Sequence, residues 1–285
     1  MKGRLLAVLL ISSSAYAATA ATVKPVKPGQ NWQWQLDGTV NETILDGYTG
    51  PKLIDIDMES ADAALVARLK AKGIYTVAYL ETGAWESYRS DADQFPAAAL
   101  GNPLNGYPDE QFLDIRPGQP YSATVLSLIK ARILAAANKG FDGIEPDLDD
   151  TGANFSGCAG EDGDTGFCIT LEQNIAFNAQ LAAYAHSLGL SWGQKNGGGD
   201  AAFTAAEINT VHADWALIEE CNRYGGCPTY TTYINLGKAV LNAEYKQDRM
   251  TTAKFCPADN MRNFDGILKS NSLGARPRTA CRAVN

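Results

Sequence analysis

Acidic residues end or follow five short apolar runs of the chain. They are Asp55 and Asp57, Glu81, Glu145 and Asp147 with Asp149 and Asp150 just beyond, Glu219, and Glu244. Carboxylates gathered at one place repel one another, so such a grouping is costly unless a substrate or a reaction uses it. Hydrolysis of a glycosidic bond requires a protonated carboxyl group that assists the leaving oxygen and an ionised one that attacks or activates water. The pattern therefore indicates glycosidic chemistry, although Asp57, Asp149 and Asp150 taken singly are interpreted as helix caps or supporting loop carboxylates.

Aromatic residues lie on or near the ends of the same runs: Trp32, Trp34, Tyr79, Trp85, Tyr88 and Tyr245. Their rings can stack on the apolar faces of sugars, which favours a carbohydrate site. Packing inside a barrel explains Trp32 and Trp34 equally well. Lys195 and Asn196, which end a further run, are predicted to bond sugar hydroxyls or to hold a carboxylate ionised.

Other chemistries fit the sequence less well. Both histidines, at positions 186 and 212, stand ahead of apolar runs, and no G-x-S-x-G motif occurs, so a serine–histidine triad is not expected. Gly197 opens a G-x-G-x-x-A match, but a flexible loop explains its glycines as well. A calcium-loop start at Asp147 fails because Cys158 occupies the twelfth position. We expect neither a cofactor nor a metal ion.

Parallel strands whose carboxyl ends meet at one face would bring the acidic residues together. Runs of strand length occur at residues 32–36, 52–57, 74–81, 142–147, 190–196, 215–219, 239–245 and 264–268. Helical patterns at 61–72, 123–139 and 171–188 lie between them, each followed by a glycine that suits a helix end. Eight such repeats in about 250 residues predict an α/β fold, a closed (β/α)8 TIM barrel in a single domain. The long stretch 83–120 is a predicted irregular loop insertion that lines the active site.

The 285 residues divide into three predicted parts. Residues 1–20 have a basic start, an apolar run and A-x-A sites, which are typical of a secretory signal peptide. Residues 21–31 are a predicted extended leader, and residues 32–285 form the barrel domain. We therefore expect a secreted protein. No later segment approaches the roughly 20 apolar residues of a membrane span, and the net charge of −8 argues against a nucleic-acid partner and suits a cationic one.

Six cysteines agree with export, because their number is even and all lie after the predicted signal peptide. Cys158 with Cys168 and Cys221 with Cys227 would close short loops, and Cys256 with Cys281 would hold the C-terminus. The sequence alone permits fifteen pairings. A zinc site is the weaker interpretation, because no C-x-x-C occurs and neither histidine stands at ligand spacing from a cysteine.

Seven segments, taken in order, resemble the motifs of glycoside hydrolase family 114, the endo-α-1,4-polygalactosaminidases and related proteins. They are WQWQL at 32–36, DID at 55–57, YLETGAWE at 79–86, GFDGIEPD at 140–147, KN at 195–196, EEC at 219–221 and NAEY at 242–245. The resemblance covers nearly the whole mature chain. Ile218 departs from the family pattern, which often has asparagine there, and the region around residues 158–168 enlarges the loop after Asp147.

The resemblance implies a barrel that hydrolyses internal α-1,4 linkages of galactosamine-rich polysaccharide, cationic or partly acetylated. The family's catalytic carboxylates map onto Asp147, assigned as nucleophile, and Glu219, assigned as general acid/base, with the reverse assignment open. The predicted sugar-binding residues are Asp57, Glu81, Trp85, Asp149, Lys195, Asn196, Glu244 and Tyr245. The alternatives are a glycosidase of the same barrel with another amino-sugar or α-linked substrate, and a non-catalytic polysaccharide-binding barrel.

Overall fold

A computed structural model describes residues 22–40, 52–155 and 164–282. Its strands are β1 (Trp32–Gln35), β2 (Leu53–Asp57), β3 (Tyr75–Glu81), β4 (Ala84–Glu86), β5 (Leu100–Leu104), β6 (Tyr107–Leu113), β7 (Gly143–Asp147), β8 (Ser191–Lys195), β9 (Trp215–Glu219), β10 (Val240–Tyr245), β11 (Asp265–Lys269) and β12 (Thr279–Ala280). Eight of them run parallel in the order β1-β2-β3-β7-β8-β9-β10-β11. These are the eight predicted strands, each within one residue of its predicted ends, and the predicted barrel fold is confirmed.

Helices cover the outside of the parallel strands. They are α1 (Ala63–Ala71), α2 (Ser122–Lys139), α3 (Thr151–Asn154), α4 (Leu171–Ser187), α5 (Ala201–Ala206), which continues as a π-helix over Glu207–Val211, α6 (Cys221–Tyr224), α7 (Thr231–Asn235) and α8 (Thr252–Arg262). The predicted helices α1, α2 and α4 are confirmed. Their ends follow from local chemistry: Asp62 accepts a hydrogen bond from Leu65 N–H at 2.6 Å at the start of α1, and left-handed Gly140 ends α2.

Alternation along the strands produces two hydrophobic cores. Trp32, Trp34 and Trp215 belong to the core inside the barrel, whereas Ile54 and Ile56 belong to the core between strands and helices. Successive side chains of a strand point to opposite faces, so residues with the parity of Trp34 face the interior. This parity decides which strand-end side chains reach the carboxyl-terminal opening of the barrel.

The barrel is nearly closed, and no strand ladder joins β11 to β1 in the described part of the chain. Residues 271–280, which we call the seam segment, lie there instead. Leu36 N–H donates to Leu273 O at 3.0 Å, and Arg278 Nε donates to Trp32 O at 2.6 Å. β12, at the end of the segment, pairs antiparallel with β11. The seam segment thus supplies the contacts that a β11–β1 ladder makes in a fully closed barrel.

Residues 22–31 form neither helix nor strand and lie at the amino-terminal end of the barrel. Val26 is buried with the interior core, and its carbonyl accepts a hydrogen bond from Ala239 N–H at 3.2 Å. Lys24 forms an ion pair with Asp142 at 2.8 Å. The predicted signal peptide, residues 1–20, lies outside the described residues.

The insertion after β3 has more structure than the sequence indicated. β4, β6 and β5 form a separate antiparallel sheet in the order β4-β6-β5. The prediction of an irregular loop over residues 83–120 is therefore wrong in this respect. Pro103 and two register shifts between β5 and β6 interrupt the alternation by which a strand is recognised in sequence.

Two of the predicted disulfides are present. Cys221 is joined to Cys227, with Cα atoms 4.7 Å apart, and Cys256 to Cys281, with Cα atoms 5.0 Å apart. Cys168 is also disulfide-bonded, whereas Cys158 lies outside the described residues. Of the helices in the described ranges, none is both long and apolar enough to cross a bilayer.

Candidate active site

The carboxyl ends of the parallel strands open into a cleft of about 1050 Å³. Its floor includes Tyr79, Glu81, Asp147, Lys195 and Glu219. The insertion contributes Tyr88, Arg89, Leu104, Tyr107 and Glu110, and the loops after β1 and β11 contribute residues 36–40 and 271–273. The cleft therefore combines strand-end carboxylates with walls from three separate loops.

The ammonium group of Lys195 stands at the centre of this floor. Its Nζ lies 2.9 Å from Glu145 Oε1, 2.9 Å from Asp147 Oδ1 and 3.3 Å from Glu219 Oε2. Burial alone would lower the pKa of Lys195, but the charges of Asp147, Glu145 and Glu219 outweigh it and raise the pKa well above its usual value. Lys195 is therefore a buried cation that links the two predicted catalytic carboxylates.

The carboxylate of Asp147 is held from both sides. Oδ1 accepts hydrogen bonds from Lys195 Nζ at 2.9 Å and from Leu148 N–H at 3.0 Å, and Oδ2 lies 2.9 Å from the hydroxyl of Tyr79. Burial would raise the pKa of Asp147, but the charge of Lys195 and these hydrogen bonds prevail and lower it. Asp147 is consequently ionised in the unliganded protein, the state that a nucleophile requires.

The carboxylate of Glu219 is positioned by neighbouring strand ends. Asn196 Nδ2 donates to its Oε2 at 3.0 Å, and the Tyr245 hydroxyl donates to its Oε1. Asn196 also accepts from Glu219 N–H at 2.9 Å, so the two residues hold each other. The side chain of Glu219 is 26% exposed and that of Asp147 21%, and both line the cleft, whereas the side chain of Lys195, which lies between them, is 2% exposed.

A second carboxyl pair lies beneath Lys195. Glu145 is fully buried and accepts a hydrogen bond from Trp34 Nε1 at 3.0 Å. Asp55, also fully buried, shares a hydrogen bond with Glu145, and no described donor group reaches either of its oxygens. Burial, and then the charge of Glu145, raise the pKa of Asp55 well above its usual value. Two acceptor groups facing each other without a donor require a proton between them, so Asp55 is the protonated partner.

The residue after each of three site-bearing strands has left-handed backbone. Leu148 has φ 51°, Asn196 φ 48° and Glu220 φ 56°, and they directly follow Asp147, Lys195 and Glu219. Left-handed conformations cost non-glycine residues free energy and cluster at functional sites. The chain thus turns sharply after each of the three strands that end in Asp147, Lys195 and Glu219.

A model of glycoside-hydrolase family GH114 matches residues 12–284. The chain belongs to this family. It is accordingly a glycoside hydrolase with a TIM-barrel fold. Comparison with curated protein sequences gave no match.

Solved structures extend the comparison of this GH114 chain. Aspergillus fumigatus Ega3 in complex with galactosamine has 28% sequence identity and a TM-score of 0.78, covering 93% of this chain and 100% of Ega3. The glycoside hydrolase domain of PelA from Pseudomonas aeruginosa has 13% identity and a TM-score of 0.63, covering 89% and 98% of the two chains. D-allulose 3-epimerase from Methylomonas sp. has 12% identity and a TM-score of 0.51, covering 87% and 85%. The last two show the fold alone, because one barrel supports unrelated reactions.

The GH114 barrel brings most of the predicted site residues to the cleft. Asp57, Glu81, Lys195 and Asn196 line it together with the predicted catalytic pair. Asp57 is already engaged there, since Arg89 Nη1 lies 2.5 Å from its Oδ2. Tyr245 lies behind Glu219 and contacts it rather than lining the cleft. These residues form one connected site.

Three residues predicted to bind sugar lie away from the cleft. Glu244 has the outward parity of its strand and accepts a hydrogen bond from Asn222 N–H at 2.8 Å. Asp149 is buried behind the site, where it accepts from Lys195 N–H at 3.2 Å. Trp85 donates through Nε1 to Ala92 O at 2.9 Å within the insertion. Their positions fit support of neighbouring segments, because none of the three is among the residues that line the cleft.

Sequence reasoning missed the contribution of individual insertion residues. Arg89, Tyr107 and Glu110 line the cleft, and Arg89 also binds Glu86 at 2.5 Å. The length of the insertion indicated that it would line the site, but nothing in its composition singled out these side chains. Residue types alone likewise gave Tyr79 as an aromatic platform, whereas its hydroxyl contacts Asp147.

One group of described residues places three atoms of metal-ligand type together: Cys221, Cys227 and Asp259. The two sulfur atoms are joined in a disulfide, so they are not thiolate ligands. None of these three residues is among those that line the cleft.

Proposed function

We propose that this chain is a secreted, endo-acting glycoside hydrolase that cleaves internal α-1,4 linkages of galactosamine-rich polysaccharide. The observation that carries the proposal is the arrangement of Asp147 and Glu219 around Lys195 on the floor of a cleft. The galactosamine bound to Ega3, to which this chain is similar along most of its length, supports the choice of substrate. The predicted signal peptide and the disulfides support export.

Asp147 is the proposed nucleophile, because its lowered pKa keeps it ionised. Its oxygen attacks the anomeric carbon while the bond from that carbon to the leaving oxygen breaks. In this step Glu219 must be protonated in the reacting complex, where it gives its proton to the leaving oxygen. Water then attacks the anomeric carbon, Glu219 takes the proton from the water, and the bond to Asp147 breaks. Glu219 regains its proton and Asp147 its charge, so the enzyme returns to its starting state.

The spacing of the two carboxylates favours retention of anomeric configuration. Asp147 Oδ1 and Glu219 Oε2 lie 2.9 and 3.3 Å from Lys195 Nζ. The two oxygens therefore cannot be farther apart than the sum of these distances. That sum is smaller than the separation of about 6.5–9.5 Å found in inverting enzymes and accommodates the roughly 5–5.5 Å of retaining ones. NMR of the first product formed would show the α-anomer for retention and the β-anomer for inversion.

Acidic walls support a cationic substrate. Burial, followed by the charges of Glu86 and Asp147, raises the pKa of Glu110 to about 7. A cationic amino sugar placed beside Glu110 would lower that pKa again and draw the carboxyl into its charged form. The walls therefore suit a polymer that carries free amino groups.

The proposal is tested by reducing-end release from partially deacetylated α-1,4-galactosamine polymer. The mature protein is compared with Asp147→Asn and Glu219→Gln, and with Glu172→Gln, an exposed carboxylate on α4, as matched control. We expect short oligomers from the wild type and the control and at least a thousandfold loss, of the order seen for lost catalytic groups, in the two site variants. Binding without cleavage by the wild type would instead identify a polysaccharide-binding barrel, and cleavage only of other polymers would identify a different glycosidase.

A further inference from the structure

The hydroxyl of Tyr79 lies between two carboxyl groups. It stands 2.7 Å from Glu81 Oε1 and 2.9 Å from Asp147 Oδ2. Glu81 and Asp147 are paired across the neighbouring strands β3 and β7, so the three side chains share one short stretch of the barrel opening. A phenol has one proton and can donate one hydrogen bond, although its oxygen can accept others. Both contacts are satisfied only when one of the two carboxyl groups carries a proton.

Asp147 is the ionised member of this pair. Lys195 and the N–H of Leu148 already donate to its Oδ1, and both hydrogen bonds favour a carboxylate. The hydroxyl of Tyr79 therefore donates its hydrogen bond to Asp147 Oδ2. Glu81 must then use Oε1 as a hydroxyl that donates to the oxygen of Tyr79.

The surroundings of Glu81 agree with a protonated carboxyl group. Its side chain is 1% exposed, Oε2 has no hydrogen-bond partner within the described structure, and none of the described cations forms an ion pair with its carboxyl group. Burial, and then the charges of Asp147, Glu86 and Glu110, raise the pKa of Glu81 well above its usual value, while the contact with Tyr79 acts in the opposite direction. Arg132 reaches only its backbone carbonyl, at 3.3 Å. An ionised Glu81 would be a buried charge facing other negative charges, which is expensive.

We propose that Glu81 is a protonated positioning residue. Its hydroxyl donates to the oxygen of Tyr79 and so directs the hydroxyl proton of Tyr79 towards the ionised Asp147. The kinetic part of this inference rests on the proposed function, in which Asp147 is the nucleophile. While Asp147 is bonded to the sugar, the Tyr79 hydroxyl remains beside its second oxygen. When that bond breaks, the negative charge returns to a carboxylate whose donors are already in place. No proton crosses from Glu81 in the cycle, so the groups balance without a co-reactant.

A positioning role for Glu81 differs from its predicted sugar-binding role in the charge of the carboxyl group, and this difference can be tested. Glu81→Gln preserves size and supplies an N–H donor to Tyr79, so it imitates the protonated acid. We expect it to lower kcat less than Glu81→Met does and to leave the acidic limb of the pH–rate profile in place. Glu81→Met, of similar size but without a donor, is expected to lower kcat several-fold. Tyr79→Phe, which removes a bond to a charged group, is expected to lower kcat roughly tenfold to hundredfold.

Three kinetic outcomes would overturn the inference. If Glu81 is ionised, Glu81→Gln removes a negative charge beside Asp147, and the acidic limb moves to lower pH. If Glu81 binds sugar through a charged carboxylate, Glu81→Gln raises KM and leaves kcat unchanged. Equal kcat values for Glu81→Gln and Glu81→Met would show that no donor is needed at this position.

A spectroscopic experiment separates this inference from the proposed function. Infrared spectra of the unliganded protein near neutral pH should contain the carbonyl band of a protonated carboxyl group, and Glu81→Gln should remove part of it. The exposed Glu172→Gln variant is the matched control and should leave the band unchanged. A band that Glu81→Gln does not alter would overturn the inference even if the enzyme cleaves the polymer. Loss of band intensity in a protein that cleaves no galactosamine polymer would uphold it while the proposed function fails.

Discussion

Lys195 is the residue on which the ionised state of Asp147 depends. Replacing it with methionine in Lys195→Met removes the cation 2.9 Å from Asp147 and leaves Glu145 buried without its ion pair. The pKa of Asp147 should then rise, because burial is no longer outweighed. The ionised nucleophile is consequently lost at a higher pH than in the wild type. We expect the acidic limb of the kcat/KM–pH profile to move to higher pH and its maximum to fall at least tenfold.

Lys254→Met is a suitable control for this change, because the ammonium group of Lys254 donates to Arg249 O at 2.7 Å on the surface and is not among the groups that line the cleft. It should leave the profile unchanged. An acidic limb that stays in place in Lys195→Met would show that Asp147 is not held ionised by this cation.

Asp55 offers a prediction about stability rather than rate. The folded state keeps a proton on Asp55, since burial and the charge of Glu145 raise its pKa, whereas the unfolded chain releases it above about pH 4. Stability is therefore lost as pH rises from the unfolded pKa toward the folded one. Asp55→Asn has no proton to lose and still donates to Glu145. Its stability relative to the wild type should grow with pH, by up to about 1.4 kcal/mol per pH unit.

Urea denaturation at about pH 5 and about pH 8 measures this difference. The exposed Asp109→Asn variant controls for the loss of a surface carboxylate. A relative stability of Asp55→Asn that is the same at both pH values would mean that Asp55 is ionised in the folded protein.

The sequence was informative about the identity of the acidic residues but not about their protons. Alternation and strand ends were enough to place Asp55, Glu81, Asp147 and Glu219 near one opening. Which of them carries a proton depends on distances across strands, such as 2.7 Å from Tyr79 to Glu81, and no local pattern encodes these. Glu244 shows the limit of the approach, because one step of parity turns its side chain away from the cleft.

At the scale of elements, the turn after β7 requires a glycine on the neighbouring loop. A Cβ atom at Gly83 would collide with the backbone of Leu148, the left-handed residue whose N–H donates to Asp147 at 3.0 Å. Gly83→Ala should therefore displace Asp147 along with Leu148. We expect kcat to fall at least tenfold and the free energy of unfolding to fall by about 1–3 kcal/mol.

Gly226→Ala is the matched substitution, because a Cβ there would meet its nearest atom at an ordinary 3.6 Å. Both variants are compared by steady-state kinetics and by urea denaturation. Wild-type kcat in Gly83→Ala would show that the turn tolerates the displacement or that Asp147 does not depend on it.

Much of the barrel was predictable because its strands are short and three of the helices between them have clear end signals, such as Asp62 and Gly140. The small sheet of the insertion was not. β5 reads LGNPL, and its pairing with β6 shifts register twice, so alternation is lost within a few residues. The small sheet is held in place by contacts with the barrel, and a local sequence pattern does not encode such contacts.

At the scale of the whole molecule, one disulfide fastens the end of the seam segment. Cys256 of α8 is joined to Cys281, which directly follows β12, across a sequence separation of 25 residues. The double variant Cys256→Ser/Cys281→Ser should lose about 3 kcal/mol of stability on the chain-entropy estimate. The Cys221→Ser/Cys227→Ser variant, which opens a separation of 6 residues, should lose less. Denaturation of the wild type and the two double variants, each under oxidising and under reducing conditions, tests this order of stability losses. A greater loss of stability from opening the shorter loop would contradict it.

The seam has a consequence for the enzyme at work. In the described part of the chain the first and eighth strands share no ladder, so the two edges of the barrel sheet are joined through the seam segment, and residues 271–273 of that segment also form a wall of the cleft. A long oligosaccharide that contacts both this wall and the insertion would stabilise the barrel against opening at the seam, whereas a single sugar bound at the floor of the cleft would not. Bound to Asp147→Asn at saturation, the longer ligand should raise the unfolding temperature more than the monosaccharide does. The enzyme would then be best protected from unfolding and proteolysis while polymer remains, and would lose that protection as its own products shorten.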